Sequence, residues 1–105
     1  MPKKSIEIRA KHRNGITTVN ALMVHPMEPG IRGDGGNGDP VSAHFIQEVT
    51  CEYREAVLLR AQWGPSISRD PYLSFSFKGG AKGEKIRLSW VDNRGGSDSA
   101  ETEIK

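Results

Sequence analysis

The sequence predicts an all-β fold, an immunoglobulin-like antiparallel β-sandwich of about seven strands. Three observations carry this expectation. Apolar side chains alternate with polar ones in successive short stretches, the period of a strand with one wet face. No ten-residue window spaces its apolar residues three and four apart, so no substantial helix is expected. Turn signals such as Asn14-Gly15, Gly64-Pro65 and Gly79-Gly80 punctuate the alternating stretches.

From Lys4 to Arg13, Ile6, Ile8 and Ala10 alternate with charged residues and predict the first strand. Asn14-Gly15 closes a hairpin onto a second strand from Ile16 to Val24, because both central residues of a type I′ turn need positive φ. Residues 28–41 are too rich in glycine and proline for a regular element. In the third strand Phe45, Val49, Cys51 and Tyr53 share the inward face, with Gln47 interrupting it, and His44, Ile46, Glu48, Thr50 and Glu52 face out. Val57, Leu59, Ala61 and Trp63 form the fourth inward row, ended by Gly64-Pro65, whose proline cannot continue a central ladder. Leu73, Phe75 and Phe77 form the fifth row, and Ile86, Leu88 and Trp90 the sixth. A weak last strand is expected at Thr102 to Lys105, and Trp63 or Trp90 is expected to fill the centre.

With 105 residues the chain is read as a single domain, residues 1–105, with one core. Hydrophobic residues make up only 35% and glycine fills 12 positions, so that core is thin and a partner surface could supplement it. The net charge of +2 comes from interspersed charges rather than a basic block with aromatics, which disfavours nucleic acid as a partner. The amino-terminal residues show no signal-peptide pattern, and no run approaches membrane-spanning length, so no membrane association is expected. The single cysteine, Cys51, has no intrachain disulfide partner.

Several motifs that suggest chemistry have plainer readings. Gly79-Gly80-Ala81-Lys82-Gly83 lacks the GxxxxGK spacing and the following helix of a phosphate loop, and reads as a turn. Asp34-Gly35-Gly36-Asn37-Gly38-Asp39 lacks the spacing and distal Glu of a calcium loop. Met23, His25 and Met27, with Cys51 elsewhere, offer soft ligands for copper, so a stand-alone copper-binding sandwich is an alternative function. The strand phase nevertheless buries Cys51 and points it away from His44, which disfavours nucleophilic catalysis by that pair. No enzyme activity, no resident metal and no cofactor are expected. Ile46, Leu58 and Tyr72 are left on outward faces, and Met27 stands at the start of the long loop; converging, they would mark an interface.

The blocks His25-Pro26-Met27-Glu28, Ala43-His44-Phe45-Ile46, Gln62-Trp63-Gly64-Pro65, Pro71-Tyr72-Leu73-Ser74-Phe75 and Gly79 through Asn93, in this order and spacing, resemble the SoxZ family of bacterial thiosulfate oxidation. The resemblance covers most of Ile6 to Asn93. It implies a non-catalytic, immunoglobulin-like subunit that forms a heterodimer with SoxY, whose mobile glycine-rich arm holds the sulfur intermediate on a cysteine. It also implies transient contact with other Sox enzymes and a periplasmic location, reached by export with the partner. Met27, Ile46, Leu58 and Tyr72 are then the expected partner contacts, with His25 and His44 as polar edges. The stretch Gly33 to Asp39 is more glycine-rich than the family's charged loop. Alone, such a chain could self-associate through its vacant surface.

Overall fold

The computed structural model describes residues 5–28, 30, 43–64 and 66–105. The glycine-rich calcium-loop candidate at 34–39 lies outside the described residues. Seven strands follow one another: β1 (Ile6–Arg13), β2 (Ile16–Met23), β3 (Ile46–Tyr53), β4 (Ala56–Gln62), β5 (Tyr72–Lys78), β6 (Lys85–Asp92) and β7 (Ser97–Glu103). They form a three-stranded sheet, β1-β2-β5, and a four-stranded sheet, β4-β3-β6-β7, antiparallel throughout. Pairing of the second strand with the fifth, and of the third with the sixth, is the crossed pattern of an immunoglobulin-like sandwich, with the fourth strand on the edge of the second sheet.

Alternation builds the core as period two requires. Val19, Ala21 and Met23 from β2 face Val49 and Cys51 from β3 and Ile86, Leu88 and Trp90 from β6, all buried. Of the two tryptophans Trp90 is the buried one, donating its indole N–H to Ser5 Oγ at 3.2 Å, while Trp63 is only half-buried beyond the end of β4. The two sheets are joined along one side, where Ala10 bridges Ile104 in parallel and His12 N–H donates to the Lys105 carbonyl at 2.8 Å.

The Asn14-Gly15 hairpin has both residues at positive φ, 54° and 81°, the twist that a two-residue loop between right-twisted strands needs. A second such turn joins β3 to β4 without glycine: Arg54 and Glu55 sit at φ 53° and 62°. Glu84 supports it from the neighbouring turn, accepting the Tyr53 hydroxyl and pairing with Arg54 Nε at 2.9 Å.

Three expectations need correction. Ile46 faces the core rather than solvent, because the β3–β6 register shifts between Ile46 and Glu48. The extra residue, Gln47, bulges out, so Ile46 and Val49 point the same way although an odd number of positions separates them. A second shift between Cys51 and Glu52 puts a bulge in β4: Leu58 packs against the core and Val57, expected inward, is 48% exposed. Finally, β7 runs from Ser97, well before the expected Thr102, since its backbone pairs with β6 despite a side-chain pattern with almost no apolar residue. Ile104, just past the strand, is fully buried in the core, and Ala100 packs against that core from β7.

Because a non-glycine residue in the left-handed region costs about 1–2 kcal/mol, Glu55→Gly is expected to raise the unfolding free energy by about 1 kcal/mol in urea titration. A loss of stability would show that the Glu55 side chain matters more than its backbone conformation.

Candidate functional site

Three inward rows end in polar side chains at the same end of the sandwich, two of them just beyond their strands and one on the last residue of β6. The alternation Val19, Ala21, Met23 continues to His25, and Ile86, Leu88, Trp90 continues to Asp92. His44 shares the phase of Ile46, which the Gln47 bulge turns inward. Extension of all three rows brings two imidazoles and a carboxylate together at one end of the sandwich.

Asp92 Oδ2 accepts hydrogen bonds from His25 Nε2 at 3.1 Å and from His44 Nε2 at 2.9 Å. Its other oxygen, Oδ1, accepts the backbone N–H of Gly96 at 2.7 Å and of Arg94 at 3.0 Å, in the turn between β6 and β7. Burial alone would raise the carboxyl's pKa, but the bonds from His25, His44, Gly96 and Arg94 outweigh it and hold the group down at about 2. An ionised carboxylate only accepts, so both Nε2 atoms are donors. The turn is shaped to fit: a Cβ at position 96 would stand 2.8 Å from Asp92 Oδ2, so only glycine lets the backbone approach so closely.

Further contacts fix the rings. His25 lies edge-on to Trp90, with centroids 5.1 Å apart, and edge-on to His44 at 4.6 Å. Its Nδ1 accepts the Met27 N–H at 3.1 Å. Met27 in turn accepts the Ile46 N–H on its sulfur at 3.3 Å, occupying a backbone donor at the start of the bulged strand. Antiparallel bonds between Glu28 and His44, 2.7 and 2.9 Å, clamp the segment after β2 to the segment before β3. Asn93 completes the clamp by accepting the Phe45 N–H at 2.8 Å and donating to the Ala43 carbonyl at 3.0 Å.

The ligand atoms of His25, His44 and Asp92 lie within 4.8 Å of one another, a separation compatible with a metal centre. The proton arrangement does not fit one. Metal-ligating histidines present a lone pair to the ion and donate their other N–H outward. His25 does the reverse, since Nδ1 accepts the Met27 N–H and its proton therefore sits on Nε2, facing Asp92. The arrangement is a hydrogen-bonded lock. Cys51, the thiol of the copper alternative, is no part of it: it is fully buried between the sheets, and burial, with Glu52 adding, pushes its pKa up to about 12.

The six expected contact residues thus separate. His25, Met27 and Ile46 are buried, and they meet His44, 28% exposed, around the lock. Leu58 is half-buried on the core side of β4, and Tyr72 stands apart at the start of β5, 63% exposed. The outward expectation is therefore corrected for His44, which the Gln47 bulge turns toward Asp92, as well as for Ile46 and Leu58, and Met27, expected at the start of the long loop, is buried. Asp92 was missed, although the phase of Ile86, Leu88 and Trp90 pointed its carboxylate inward.

A sequence profile described as "Sulphur oxidation protein SoxZ" matches residues 6–103. No curated protein matches significantly. Among solved structures, a superoxide reductase (neelaredoxin) variant from Ignicoccus hospitalis superposes with a TM-score of 0.64 at 19% identity, covering 97% of this chain and 79% of that one. The hypothetical protein PH1083 from Pyrococcus horikoshii gives 0.60 at 16%, covering 95% and 87%. A neelaredoxin variant from Archaeoglobus fulgidus gives 0.58 at 19%, covering 95% and 85%. At such identities the likeness is one of fold.

The lock makes two predictions. A carboxyl whose folded pKa lies below its ordinary 3.8 contributes stability that is full above that value and lost as pH falls toward 2. Asp92→Asn is expected to cost about 3 kcal/mol at neutral pH and to flatten the acid limb of a stability-versus-pH curve; an unchanged limb would refute the assignment. Zinc or cuprous ion at about 100 μM should leave the melting temperature unchanged, whereas a site of about 1 μM affinity would add ~2.7 kcal/mol of stability.

Proposed function

The chain belongs to the SoxZ family, and on that footing we propose that it is the non-catalytic scaffold partner of a SoxY-type sulfur carrier in thiosulfate and sulfur oxidation. The observation that carries this reading is the condition of its sulfur. Covalent sulfur transfer needs an accessible thiolate. The chain has one cysteine, and its thiol is fully buried and held protonated far above neutral pH. A sulfur intermediate then has to ride on another polypeptide, the role that the family's SoxY arm fills.

The sandwich suits that division of labour. Its two sheets are seamed along β1 and the chain's last residues, and the Asp92 lock pins the segments at one end, so docking would freeze little further backbone. In this reading the pair works in the periplasm, exported together, and meets other Sox enzymes in turn. The copper alternative loses its central ligand, because Cys51 lies outside the histidine cluster.

The test is a binding titration with a purified SoxY-type subunit. Association at micromolar concentration or tighter is expected, and Cys51→Ala should bind as well as the parent chain. Mass spectrometry after turnover with thiosulfate should find the added sulfur on the partner alone. A persulfide or thiosulfonate on Cys51, or no association, would overturn the proposal.

A further inference from the structure

The outer face of the β1-β2-β5 sheet is built unlike the rest of the surface. Register sets its side chains in rows: Glu7, Leu22 and Tyr72; Arg9, Asn20 and Ser74; Lys11, Thr18 and Ser76; Arg13, Ile16 and Lys78. It therefore carries four cations and a single carboxylate, more positive charge than the whole chain's net +2. Among the described residues none of Arg9, Lys11, Arg13 and Lys78 forms an ion pair. The small polar groups between them satisfy one another instead: the Ser74 hydroxyl donates to Asn20 at 2.6 Å, and Thr18 and Ser76 share a bond of 2.9 Å. The four cations of this face are left without a carboxylate partner among the described residues.

Cations on a sheet's border strand commonly guard its open edge. That explanation falls short here, because the backbone of β1 is already engaged near Ala10 and His12 by the chain's last residues. Moreover, Arg9, Lys11 and Arg13 stand on the sheet's outer face, at alternate positions about 7 Å apart. Carboxylates on alternate residues of an opposing strand share that repeat, and arginine pairs with them through two parallel bonds. At one end of the face Tyr72, 63% exposed, stands beside Leu22 over a shallow cleft of ≈ 280 Å³ that Arg9 also lines. A large, rigid aromatic at such a place is the usual anchor of a protein interface.

We propose that this face receives the partner subunit, and that the partner meets it with a row of carboxylates opposite β1 and an apolar surface against Tyr72. The inference rests on the scaffold reading above and adds where the contact lies and what its chemistry is.

The test compares three chains in titrations with the SoxY-type subunit at low and high salt: the parent, Arg9→Glu/Lys11→Glu/Arg13→Glu, and Arg60→Glu/Lys85→Glu on the other sheet. Reversal on β1 is expected to weaken binding by about tenfold or more and to abolish its salt dependence, while reversal on the other sheet changes affinity by less than about twofold. If the β1 reversal fails to fold, as judged by circular dichroism, the glutamine triple variant replaces it and should weaken binding in the same direction. Parent-like binding by a folded β1 variant overturns this inference and leaves the scaffold reading standing; no binding by the parent overturns both. A short DNA duplex held by the parent at physiological salt and released by the reversal would assign the face to nucleic acid and overturn it as well.

Discussion

One buried carboxylate organises an entire end of this molecule. Asp92 gathers hydrogen bonds from two imidazoles and two backbone amides, and those donors belong to segments far apart in sequence: the exit from β2, the approach to β3 and the β6–β7 turn. A lone ion there would be strongly unfavourable. With its oxygens satisfied, it instead ties the strand ends at His25 and His44 to the β6–β7 turn. Met27 and Asn93 extend the same network to the backbone of the bulged strand.

The sandwich is also lopsided. Along β1 the chain's last residues close the gap between sheets, whereas β4 and β5 end their sheets opposite. The inward residues of those two strands, among them Leu59, Ala61, Leu73, Phe75 and Phe77, are only partly buried, while those of β2 and β6 are fully so. A thin, graded core of this kind fits a protein whose working surface lies outside, and it accords with the modest hydrophobic content.

Likeness to superoxide reductases illustrates how little a shared sandwich decides about chemistry. What decides it here is proton placement and burial. A histidine whose second nitrogen accepts a backbone N–H is already committed, and a thiol sealed between two sheets with its pKa at about 12 is inert. The chain belongs to the SoxZ family, and these local facts support the scaffold role proposed above.

Six of the seven strands, the Asn14-Gly15 hairpin, the burial of Cys51 and the glycine turn after β5 were legible in the chain, because period-two alternation and positive-φ turn residues are local properties. The polar β7 was not, since only pairing with β6 makes it a strand. Nor were the bulges at Gln47 and Leu58, which arise from matching ladders between strands and reverse which side of a residue faces inward. For that reason Ile46, Leu58 and Val57 were placed on the wrong faces. His25 and His44 were read only as polar edges, His44 on the outward face that the Gln47 bulge reverses, and Asp92 was missed although its row ends on it; their meeting is a matter of three-dimensional closure. Sequence alone determined the architecture; tertiary packing decided the site, because a buried charge finds its partners across sheets rather than along the chain.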